Sequence, residues 1–178
     1  MIRIKTLLST LTLSLALAGS AQAFDFGGLK DKANSAINEN GGSELLNLGK
    51  SIYSAVDGNA TASKYAKQMM GALQTGKYSK VFDYFDKIKG AGLTDSQLSA
   101  WNEVKNKVSG FVMEQSFEFD QEAANSLVGK AVEALNGNNT SAASNYLAKL
   151  KNAVSLSSEQ KSLLSEIQAN LLPVIAGK

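Results

Sequence analysis

Two residue types that build most hydrolytic and metal sites are missing from this chain of 178 residues: it has no histidine and no cysteine. Without them, Ser-His-Asp and Cys-His nucleophiles are excluded, as are zinc centres and most transition-metal centres. Absence of cysteine also removes any disulfide, so packing alone must hold the fold. Arginine occurs once, at Arg3, and proline once, at Pro173. With almost no proline and an abundance of Ala, Leu, Lys and Gln, the composition favours helices.

What is present begins with MIRIKTLLSTLTLSLALAGSAQA. Arg3 and Lys5 give a basic start, Leu7 to Ala18 an apolar run, and Ala21-Gln22-Ala23 a small-x-small cleavage pattern. This is the layout of a secretory signal peptide, with an apolar run too short to span a bilayer. The expectation is export, to the periplasm or beyond, after cleavage following Ala23. Removing Arg3 and Lys5 takes the 18 basic residues to 16, equal to the 16 acidic ones, so the processed chain is near neutral.

Apolar residues recur three and four apart, as in Tyr78, Val81, Phe82, Phe85 and Ile88, and each such stripe paints one helix face. The spacing predicts helices at about 27–38, 44–56, 62–74, 77–90, 95–113, 121–136, 141–153 and 158–172. The segment SFEFD at 116–120 comes nearest to a strand and is too short and isolated to found a sheet.

An offset of 62 residues pairs Ala72-Leu73 with Ala134-Leu135, Ser79 with Ser141, Tyr84 with Tyr146, and Lys87 and Lys89 with Lys149 and Lys151. One inserted residue then pairs Leu93, Gln97, Ser99 and Glu103 with Leu156, Gln160, Ser162 and Glu166. Core positions and punctuation repeat together, as when one supersecondary unit is used twice. Thr94-x-x-Gln97 and Ser157-x-x-Gln160 fit capping boxes that start a helix at the same point of each copy. The expected fold is all-α: two homologous three-helix units, at 61–115 and 116–178, preceded by capping helices at 24–60, in a short right-handed array or a compact bundle.

The stretch GALQTGKYSKVFDYFDKI, with Gly76, Tyr78, Val81, Tyr84 or Phe85 and Lys87, resembles the turn and second helix of tetratricopeptide repeats. In the second copy Asn138 stands for the glycine and Thr140 for the tyrosine, while Ala143, Tyr146 and Lys149 keep register. The resemblance covers one hairpin per unit, and the unit here is nearly twice the tetratricopeptide period of about 34 residues. It implies helical hairpins and, by analogy, a binding role.

On this reading the chain is a non-enzymatic binding or scaffold module of a bacterial envelope. A protein or peptide partner would meet a surface around Tyr78, Tyr84, Lys87, Tyr146 and Lys149, and self-association is open. No cofactor is expected. Nucleic acid is not an expected partner, because the lysines are interrupted by Asp83 and Asp86 and no arginine is available for bidentate contacts. No further apolar run follows the leader, so no integral membrane segment is expected after cleavage.

Two other readings have residues attached. Glu114, Glu118, Asp120 and Glu122 cluster at the joint, giving 111–135 a net charge of −4 against +4 for 64–110. Glu118, Asp120 and Glu122 are the candidate calcium ligands or hydrolytic acids, but the calcium-loop signature is missing and Phe119 sits in a slot that is normally polar. Asp120 reads better as the cap of the following helix, and the opposed charges suggest an acidic joint lying against the lysine-bearing first unit. The third reading is carriage of a lipid or small ligand between helices.

Overall fold

A computed structural model describes residues 42–171. The leader, the helix expected at 27–38 and the C-terminal residues 172–178 lie outside the described residues. Within them the chain is all-helical, without strands. Seven helices follow one another: α1 (Gly42–Ala55), α2 (Ala60–Gln74), α3 (Tyr78–Lys89), α4 (Asp95–Ser116), α5 (Glu122–Asn136), α6 (Thr140–Ala153) and α7 (Ser158–Asn170). Each matches a helix read from periodicity, with ends differing by up to three residues.

Local chemistry sets the ends. Asn59 caps α2 by accepting from the Ala62 N–H, and Asn139 does the same for α6 through Ala142. Both capping boxes form: Thr94 and Gln97 exchange hydrogen bonds at the start of α4, and Ser157 and Gln160 at the start of α7. The turn after α2 needs a left-handed residue, supplied by Gly76 at φ +66°. Sixty-two positions later Asn138 takes φ +56° after α5, a conformation asparagine tolerates better than most side chains. Matching backbone bonds close both turns, from Lys77 N–H to Ala72 carbonyl and from Asn139 N–H to Ala134 carbonyl.

One helix start differs from expectation. The cap of α5 is Gln121, not Asp120, and it makes no side-chain cap bond. Asn125 organises the entry instead: its Oδ1 accepts from Phe119 N–H at 2.9 Å and its Nδ2 donates to Phe119 carbonyl at 2.6 Å. The asparagine thus satisfies the connection from inside the helix, and the aspartate is left exposed.

α2 packs on α3 and α5 on α6 as two hairpins, while α4 contacts α1, α3, α5 and α7. That position explains why α4 is buried continuously from Val108 to Met113, a run that covers every side of a helix. Gly110 fits there because α5 passes close: a Cβ would stand 2.9 Å from Asn136 Oδ1 and 3.5 Å from Leu135 Cβ. Trp101 is fully buried and meets Phe85 edge to face at 5.6 Å, and Phe85 in turn meets Phe82 at 5.3 Å. Such pairs contribute about 1 kcal/mol each beyond the area they bury. Leu164, paired with Trp101 by the 63-residue offset, is buried as well.

Candidate functional site

Two places gather the residues that sequence reasoning singled out, and a third was not foreseen. The first is the outer face of α3 and α6. Tyr84 is half-buried against the core with the Lys87 ammonium over its ring, 4.9 Å from the centroid. Tyr146 and Lys149 repeat the arrangement on α6 at 5.8 Å. The spacing of three residues places each lysine one turn beyond its tyrosine, on the same face. A cation held over a ring face is favourable by about 0.5–1 kcal/mol at an exposed site. Tyr78 stands apart at the start of α3, half-buried, and burial pushes its phenol pKa up.

The second place is the acidic joint. Glu118, Asp120 and Glu122 are all exposed around the bend between α4 and α5. Among the described residues no group of three or more carboxylates comes together where it could hold a metal ion. Glu114 meets another acid: its carboxyl hydrogen-bonds Glu44 in the first turn of α1. Burial, then the charge and the hydrogen bond of Glu44, raise its pKa. This acid thus forms a carboxyl pair between α1 and α4.

The third place lies where α4 meets the ends of α5 and α7. Lys105, Asn106 and Ser109 are each 3% exposed or less, and among the described residues they are the buried polar side chains in a core otherwise apolar. Ser109 returns its hydroxyl to the Lys105 carbonyl at 2.9 Å. Asn106 Nδ2 donates to Asn138 Oδ1, while Asn106 Oδ1 is buried without a partner. Burial, followed by the neighbouring Lys89, lowers the pKa of Lys105, and Asp86 acts in the opposite direction. A cavity of about 150 Å³ opens here, lined by Asn102, Lys105, Asn106, Asn138, Thr140 and Leu171. Sequence periodicity passes over these residues because a lysine on a helix reads by default as solvated. The available signal was Lys105 lying between Val104 and Val108 on a helix whose apolar residues point in every direction.

A larger open groove, about 390 Å³, runs between the end of α6 and α7, and its lining includes Lys151, Val154, Leu156, Lys161, Leu164 and Gln168. No helix among the described residues is long and apolar enough to cross a membrane. No known protein family, curated protein sequence or solved structure matches this chain.

Proposed function

We propose that this chain is an exported, non-enzymatic helical-repeat scaffold that binds a protein or peptide partner on the outer face of its two hairpins. In this reading α2–α4 and α5–α7 are homologous three-helix units of a tetratricopeptide-like array, with α1 covering one end. The left-handed turn residues Gly76 and Asn138 and the twin capping boxes support the duplication. The leader at 1–23 supports export.

The recurrent Tyr–Lys pair carries the binding assignment. Between α3 and α6 the exposed acids are lost, Asp83 becoming Asn145 and Asp86 becoming Ala148, yet Tyr84, Lys87 and Lys89 return as Tyr146, Lys149 and Lys151. Core packing does not require an exposed lysine at Lys87 or Lys149. A tyrosine presents a rigid apolar ring with a polar tip, the kind of group that anchors interfaces at little entropic cost.

The test is crosslinking in the native envelope of the chain carrying an affinity tag, compared with a Lys87→Glu and Lys149→Glu double variant. Both positions are exposed, so the fold should persist, checked by circular dichroism. One saturable protein partner, lost in the double variant, is the expected result. Recovery of the same partner in unchanged amount, or of no partner at all, would overturn the assignment.

A further inference from the structure

We propose that residues 172–178, LPVIAGK, fold back along α7 and fill the open groove between it and the end of α6, closing that edge of the helical stack as a built-in cap. The seat is separate from the Tyr–Lys face: neither Lys87 nor Lys149 is in its wall.

The same edge occurs once more in the chain, and there it is covered. By the offset of 63, the groove residues Leu164, Ser165 and Gln168 correspond to Trp101, Asn102 and Lys105. Trp101 is fully buried, and Asn102 and Lys105 line a cavity shared with Asn138, Thr140 and Leu171 from the chain that follows. No further helix among the described residues comes after α7 to cover the corresponding edge. Smaller side chains leave room on it, Leu164 in place of Trp101 and Ser165 in place of Asn102. The one residue inserted between the copies also falls here. Ala91-Gly92-Leu93 becomes Ala153-Val154-Ser155-Leu156, and Val154 adds a half-buried apolar side chain to the wall.

Chain geometry brings an apolar segment to that wall. Lys161, Leu164 and Gln168 lie three and four apart on the groove side of α7, and the next residue at that spacing is Leu172. Pro173 keeps the helix from running on: it has no N–H to donate and disfavours helical backbone at the residue before it. A chain turned at this point starts its return on the groove side, with Val174, Ile175 and Ala176 next in line. From Gln168 back to Lys161 is about 10 Å at the helical rise. The five residues 172–176 reach about 16 Å when extended, which is enough.

The wall suits such a strap. Val154, Leu156 and Leu164 give it an apolar floor, and among the described residues Lys151 and Lys161 are its charged members. Their four-carbon stems can flank apolar residues while the ammonium groups stay in water. Lys178 lies past the length required. Tethered one turn from the groove, the segment is present there at an effective concentration in the millimolar range, so an outside apolar ligand would have to displace it.

The experiment is methyl and amide NMR on the chain from Phe24 to Lys178. Nuclear Overhauser contacts are expected from the Val174 and Ile175 methyl groups to those of Val154, Leu156 and Leu164, with intensities unchanged on dilution. The backbone order parameter of Ile175 should be about 0.85, as in rigid backbone, and should fall below about 0.6 in Val154→Asp. That substitution places a carboxylate on the apolar floor at a half-exposed position. A chain carrying both Val174→Ser and Ile175→Ser should shift the amides of Leu156, Lys161 and Ser165 while leaving those of α2 in place. Neither of its changes touches the helical body, so it keeps the test intact if Val154→Asp fails to fold. A flexible Ile175 in the parent, with no such contacts, overturns the proposal, as do groove amides unmoved by the double substitution. Contacts that fade on dilution belong to a second copy and overturn closure within one chain. An Ile175 that stays rigid in a folded Val154→Asp chain overturns the groove as its seat.

Discussion

The side-chain amide of Gln97 donates to the backbone carbonyl of Asp57 at 2.7 Å, tying the start of α4 to the end of α1 across 40 residues of sequence. Gln160 makes the corresponding bond to the Ser116 carbonyl at 3.3 Å, tying the start of α7 to the end of α4 across 44. In both boxes the glutamine Oε1 is already occupied, accepting from its own cap N–H. One residue therefore starts a helix and fixes the helix that lies beside it.

The two roles separate by substitution. Gln97→Glu keeps the acceptor and suits the helix N-terminus, but it loses the donor and sets a carboxylate against the Asp57 carbonyl. Gln97→Ala loses both. Urea unfolding should show a loss of roughly 1 kcal/mol for Gln97→Glu and somewhat more for Gln97→Ala. A Gln97→Glu chain as stable as the parent would mean that the long bond contributes nothing.

Left-handed backbone makes a second prediction. At Gly76 a Cβ would meet nothing within 4 Å, so Gly76→Ala isolates conformational strain and should cost about 1 kcal/mol. Asn138→Gly relieves the strain but removes the partner of Asn106, whereas Asn138→Ala keeps the strain and also removes the partner. Thermal unfolding should rank Asn138→Ala as the least stable of the three. If Asn138→Gly equals or falls below Asn138→Ala, backbone conformation is not what selects asparagine there.

Glu114 gives the chain a pH dependence of a definite sign. An acid whose folded pKa is raised holds its proton more tightly when folded, so its contribution is complete at low pH and is lost as pH rises through the raised value. From the ordinary glutamate pKa of about 4 upward, urea midpoints of the parent should decline relative to those of Glu114→Gln. Parallel midpoint curves for the two chains would show that the carboxyl pair with Glu44 has no bearing on stability.

At the alkaline end, burial pushes the Tyr53 phenol up to about 12. The sign is the same: stability from the neutral phenol is present below the ordinary tyrosine value of about 10 and is lost as pH climbs toward the raised one. Absorbance titration of the five tyrosines should therefore show late ionisation that loses one tyrosine's amplitude in Tyr53→Phe, while Tyr78, also raised by burial, remains. Ionisation of all five together near the ordinary value would contradict the burial of this ring.

The helices were readable because their signals are local. Thr94 and Gln97 lie within one turn of each other, and the stripe from Val81 to Ile88 needs no knowledge of the rest of the chain. Tyr84 and Lys87 were singled out as surface, and their pairing follows from the same short spacing. Longer-range features left less trace. Asp120 has the chemistry of a cap, but Asn125, six residues after Phe119, closes that connection through contacts that composition alone does not rank. Lys105 and Asn106 are polar residues whose burial depends on four other helices arriving around α4. Nothing within their own turn of helix announces it.

That crowding has a further consequence. α4 closes the first proposed unit and also forms the bed on which α5 and α7 lie, so both halves of the proposed duplication own the same helix. A break at Ser116 would strip Val108, Phe111 and Val112 of part of their cover, and a break before Asp95 would leave α2 and α3 without the helix that carries Trp101. The seam between the two proposed units therefore runs through the middle of a shared beam. The chain from Gly42 to Leu171 should melt as one body, with no halfway form in which one copy stands while the other is undone.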